Sequence, residues 1–112
     1  MKKFGLTFKE KGGKFYSNII QQKDFTKKIP DIKKKNARFI TATALKNSAD
    51  EVFIYYHFEI EKKVFTFKTS VSKNAKSISN DFPSASWIER EIQEFYKINF
   101  SGQIKKPLLY SG

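Results

Sequence analysis

The sequence predicts an α+β fold: one two-layer domain, a mixed and mostly antiparallel sheet packed by helices, in the order β-α-β-β-β-α. Three patterns predict it. Val52, Ile54, Tyr56, Phe58 and Ile60 alternate with Glu51, Phe53, Tyr55, His57 and Glu59, the period of a strand with one buried face. Glu61 and Lys62 then form a tight link, and Val64 to Val71 returns as a hairpin partner with Phe65, Phe67 and Val71 on one face. Finally, Ile88, Ile92, Phe95 and Tyr96 recur at i, i+4, i+7 and i+8, one stripe of a helix that packs on the sheet.

The remaining elements follow from local chemistry. Lys11-Gly12-Gly13-Lys14 is a turn signal, and Phe15 to Ile20 reads as a short strand after it. Asp24 is placed to cap a helical segment starting at Phe25, and Pro30 ends or restarts that segment, giving two short turns over residues 24–36. Arg38 to Leu45, RFITATAL, is β-branched and alternating, a half-buried strand. Lys46 to Asp50 is a polar loop, so three successive strands with short links make an antiparallel meander. Residues 72–82 are rich in Ser and Asn and read as loop. Ser86 with Glu89 three positions on has the form of a capping box for the last helix. Beyond Ile98 periodicity is lost, and Gly102 and Pro107 punctuate a segment ending in Leu108-Leu109-Tyr110.

Composition narrows the function. The 112 residues suffice for one domain, 1–112, whose basic N-terminal part is 1–36. With no Cys and a single His, His57, disulfides, thiolate-held iron–sulfur clusters, thiol nucleophiles and a His-based metal site are excluded. No Gly-rich phosphate loop or nucleophile elbow is present. No apolar run approaches the roughly twenty residues of a membrane span, so a soluble, intracellular chain is expected. Of the net +11, residues 1–36 hold +8, from eleven Lys against Glu10, Asp24 and Asp31. Only Arg38 and Arg90 among the 22 basic residues are arginines, whereas readers of bases and phosphates favour the bidentate Arg fork. Lysine richness alongside many Ile, Asn and Phe points to compositional bias over a nucleic-acid face. His57, Tyr55 and Glu59 share a strand face, where alternating polar side chains are a simpler account than a small acid–base site.

The segment from Pro83 to Tyr110 carries a longer pattern. Pro83 and Ala85 lead to Trp87, then Glu89, Arg90 and Glu91, two variable positions, Glu94, and the bulky pair Phe95-Tyr96, with Gln103, Pro107, Leu109 and Tyr110 at the later positions. This resembles the signature of the thirty-kilodalton subunit family of respiratory complex I and its hydrogenase relatives. Upstream, Phe39 to Thr43, Val52 to Phe58 and Val64 to Ser72 look like strands of the same family, so the resemblance covers residues 37–110. Two positions depart from it: the family's Gly-His-Pro is Gly102-Gln103-Ile104 here, and the Gly usual after the bulky pair is Lys97.

The resemblance implies a two-layer α+β accessory subunit that binds no cofactor and docks on a large catalytic subunit, with iron–sulfur subunits nearby and no nucleic acid. It would sit on the cytoplasmic face of the membrane, peripheral through its complex. Length and the missing Gly-His-Pro favour an energy-converting hydrogenase of the Ech type over a respiratory NADH-quinone oxidoreductase (complex I) as the host assembly. The partner-docking residues it implies are Trp87, Glu89, Arg90, Glu91, Glu94, Leu108, Leu109 and Tyr110. Trp87 is either a core residue or an anchor inserted in the partner, and Arg90 is a candidate for a bidentate bridge.

Overall fold

The computed structural model describes residues 2–102. Its main sheet contains strands β1 (Lys2–Lys3), β2 (Leu6–Lys11), β3 (Lys14–Ser17), β4 (Ile20–Gln21), β5 (Arg38–Lys46), β6 (Val52–Ile60) and β7 (Lys63–Val71), in the spatial order β1-β2-β3-β7-β6-β5 with β4 also paired to β7. Helices α1 (Gln22–Thr26) and α2 (Ile29–Lys34) link β4 to β5, and α3 (Ala85–Tyr96) lies between two short strands, β8 (Asn74–Lys76) and β9 (Asn99–Ser101), which pair in parallel. The sheet is mixed: β6 runs antiparallel to both β5 and β7, while β3 and β4 pair with β7 in parallel. This is the α+β architecture that the alternation and the helical stripe predict.

The meander follows the expected faces. Val52, Ile54, Tyr56, Phe58 and Ile60 are all buried, and the register sets Tyr56 opposite Phe67 and Phe58 opposite Phe65. Glu61 and Lys62 both take left-handed backbone (φ 53° and 66°), the conformation that a two-residue hairpin link needs to match strand twist. The core is largely a packing of rings. Phe25 from α1 stacks on Tyr56 with centroids 4.6 Å apart, Phe58 meets Phe39, Phe67 and Phe82, and Phe8 packs edge-on against Phe65 and Phe67. Such offset and edge-to-face pairs add roughly 0.5–1.5 kcal/mol each beyond their buried area. Pro30 restarts the chain as α2, occupying its first turn, where a missing N–H costs nothing.

The structure corrects several local readings. The strand expected over Phe15 to Ile20 is split into β3 and β4, because the Ser17 hydroxyl takes the Lys68 N–H (2.8 Å) in place of a ladder carbonyl. Asp24 caps nothing: α1 begins after Gln21, and the Gln22 side chain pairs with both backbone groups of Lys76 (2.7 and 3.0 Å) like a fragment of strand. Strand β2 and the short β8 and β9 were not apparent in the sequence, since each offers at most two buried apolar positions. The capping box is also absent. Ser84 occupies the N-cap of α3 without a side-chain bond, and the Ser86 hydroxyl donates to the Pro83 carbonyl at 3.0 Å.

Candidate docking face on the last helix

Helix α3 packs through Ala85, Glu89, Ile92 and Tyr96, which lie within about 60° of one another at 100° per residue. Glu89 is therefore an inward residue, only 1% exposed. Its carboxylate accepts from the Ser77 hydroxyl at 2.6 Å and from the Ile78 N–H at 2.8 Å, with Ser77 bonded in turn to Ser79. The expectation of Glu89 as a docking residue is thus corrected: it ties α3 to the segment after β8. Phe95, expected in the buried stripe, is turned outward and is 82% exposed. Tyr96 stays inward and donates its hydroxyl to the Ala44 carbonyl of β5 at 3.0 Å.

The opposite face of α3 carries Trp87, Arg90, Glu91 and Glu94, with Phe95 on its flank, all exposed. Trp87 is 61% exposed, so the core alternative for this residue does not hold. Among the described residues Arg90, Glu91 and Glu94 belong to no ion pair; Arg90 thus makes no bridge within the described part of the domain. Between this helix and the edge strand β5 runs an open groove of about 640 Å³, lined by Ala42, Thr43 and Ala44 on one side and Ile88, Glu91 and Phe95 on the other. Ile40 and Leu45 on β5 are exposed as well. Leu108, Leu109 and Tyr110 lie outside the described residues.

The residues of the rival acid–base reading are engaged separately. His57 stands on the other face of the sheet between two threonines, Nδ1 at 2.8 Å from Thr66 Oγ1 and Nε2 at 3.3 Å from Thr43 Oγ1. Partial burial, and then the charge of Lys14, hold its imidazole below the ordinary histidine range. Glu59 is taken by Arg38 (2.7 Å), and Tyr55 lies under the ammonium of Lys68. Among the described residues no group of three or more His, Cys, Asp or Glu is arranged to hold a metal ion.

Comparison with known proteins places this geometry. The family described as the respiratory-chain NADH dehydrogenase 30 Kd subunit matches residues 19–110. The chain belongs to this family. A solved structure of a membrane-bound sulfane sulfur reductase, an archaeal respiratory membrane complex, contains a chain of the same fold (TM-score 0.78, 16% identity, 92% of this chain and 66% of that one). This chain therefore spans just under two thirds of that relative's length. A trypsin-resistant fragment of Nqo5 is similar over 91% of this chain and 90% of its own (TM-score 0.74, 14% identity). No protein with a curated description matches in sequence.

Two features of the 30 Kd family signature gain a physical reading. Lys97, where the resemblance leads one to expect Gly, is the first residue past α3 and sits at φ 58°, ψ 38°. Glycine is favoured there because a side chain makes the left-handed conformation costly. Glu89, the first acid of the Glu-Arg-Glu run, is the internal tie, whereas Arg90, Glu91 and Glu94 face outward. A run of charges on a helix gives no sign of which member turns in; Ser77 and Ile78, which receive Glu89, come from a segment that reads as loop.

Proposed function

We propose that this chain is a non-catalytic accessory subunit of a membrane-associated, energy-converting oxidoreductase, docking on and stabilising its large catalytic subunit. Family membership over residues 19–110 supports the class of assembly. The observation that carries the docking role is the exposed aromatic pair Trp87 and Phe95 beside Arg90, Glu91 and Glu94 on α3. An apolar centre with charged neighbours is the composition of an interface anchor. No helix among the described residues is long and apolar enough to cross a membrane, so attachment would run through partner subunits. The replacement of Gly-His-Pro by Gly102-Gln103-Ile104 favours an Ech-type hydrogenase as host; a respiratory NADH-quinone oxidoreductase, in which the chain would be the 30 Kd subunit, is the alternative. Leu108, Leu109 and Tyr110 extend the proposed contact in sequence.

The test is Trp87→Ala with fold and assembly measured apart. Its circular dichroism and melting should match the parent, because the indole is mostly exposed. Retention by the large subunit should fall about thirtyfold, the equivalent of about 2 kcal/mol for a central Trp. Unchanged retention would remove α3 as the docking element.

A further inference from the structure

The two edges of the main sheet are built differently. One ends in β1, two residues long and both lysine, Lys2 and Lys3. Short, charged edge strands discourage pairing with another chain. The other ends in β5, nine residues long, whose only strand neighbour among the described residues is β6. A bulge falls between Phe39 and Thr41, but from Thr41 to Leu45 the strand pairs regularly with β6 and contains no charge, Pro or Gly. In a chain where 29% of residues are charged, Arg38 and Lys46 bracket this bare stretch without entering it. The edge borders the α3 groove, with Ala42, Thr43 and Ala44 as its wall.

The charge of the groove is the reverse of the molecule's. The chain carries +11 overall, yet the charged side chains lining the groove are Glu91 and Glu94, neither ion-paired among the described residues. Phe95 and Ile88 complete its helical side. We propose that this groove receives an extended segment of the partner subunit, which adds to β5 as a further strand and places a Lys or Arg against Glu91 and Glu94. Main-chain bonds to the edge supply affinity in such a mode, while alternate side chains reach the flanking pockets. The added strand would bury its apolar side chains on Phe95 and Ile88, and its basic residue would fix register. This rests on the docking role proposed above and specifies the partner's contribution.

The experiment uses the assembly purified from its host, stripped of this chain at high salt, and rebound with the full-length chain. The backbone amides within residues 41–45 that point away from β6 should exchange at least tenfold more slowly in the complex than in the free chain. The double variant Glu91→Lys/Glu94→Lys, changed only at exposed positions, should keep its circular dichroism and rebind about tenfold more weakly at low salt. That deficit should shrink in 0.5 M salt, roughly where screening falls to a few ångströms. Rebinding without protection of residues 41–45, or without loss in the charge variant, would overturn strand addition while leaving docking intact. Failure of the parent chain to rebind, together with its absence from the native assembly, would overturn the docking role itself. Protection in the free chain of the amides in this stretch that point away from β6 would show the edge occupied by residues 103–112 or by a second copy, and would likewise defeat the proposal.

Discussion

Replacement of Glu89 tests whether the helix is held from within. The carboxylate is 1% exposed and accepts from Ser77 Oγ and the Ile78 N–H, among its contacts. In Glu89→Ala the Ile78 amide loses its acceptor, and a buried orphan donor costs about 1–3 kcal/mol. Ser77 recovers part of its loss by turning its hydroxyl toward Ser79, 2.7 Å away. Lost side-chain packing adds about 1 kcal/mol, and relief of burying the charge offsets some of the total. The net expectation is roughly 2–4 kcal/mol, a large share of the about 5–15 kcal/mol typical of a domain. Glu89→Gln keeps the shape, an acceptor for Ile78 and a donor toward Ser77, so about 1 kcal/mol is expected. Urea unfolding followed by circular dichroism reads both: with a slope of about 1–3 kcal/mol per molar, the Ala midpoint should drop by about 1–2 M. A capping-box role would give a different pair of numbers, about 1 kcal/mol for Ala and almost nothing for Gln. That outcome would refute the internal tie.

Two further changes probe the backbone and the outer sheet face. Lys97→Gly should stabilise the fold by up to about 1 kcal/mol, since relief of the left-handed backbone at φ 58° exceeds the added freedom of the unfolded chain; a lowered melting temperature would contradict this. His57 has its pKa lowered in the fold, by burial first and then by Lys14. The unfolded chain therefore binds the proton more readily, and stability should fall as pH drops through the ordinary value of 6.5 and level off below the folded pKa. Melts of the parent and His57→Gln between pH 8 and pH 5 isolate this component, which should be absent in the variant; equal slopes would show that His57 carries none of it.

How much was legible depended on whether a feature repeats along the chain. Strand β6 declares itself because five apolar side chains in strict alternation admit one buried face, and β7 and β5 inherit their sides from its register. The restart at Pro30 and the turn at Gly12-Gly13 are likewise local chemistry. The signature residues on α3 suffice to place the chain in its family without tertiary information. What escaped were contacts between segments far apart in sequence: Gln22 completing the backbone of Lys76, Ser17 substituting for a strand carbonyl, and Glu89 reaching Ser77 and Ile78.

The docking face shows the division most clearly. By itself the sequence determined the elements, the core side of the meander and the set of residues on the last helix, because periodicity is a property of neighbours. Which side of that helix meets the sheet was decided only in three dimensions. Trp87 and Phe95 are apolar enough to be core and Glu89 polar enough to be surface, yet burial runs the other way. A carboxylate with two donors waiting in the adjoining segment is more stable inside than its charge suggests, and the helix that buries it leaves both rings outside.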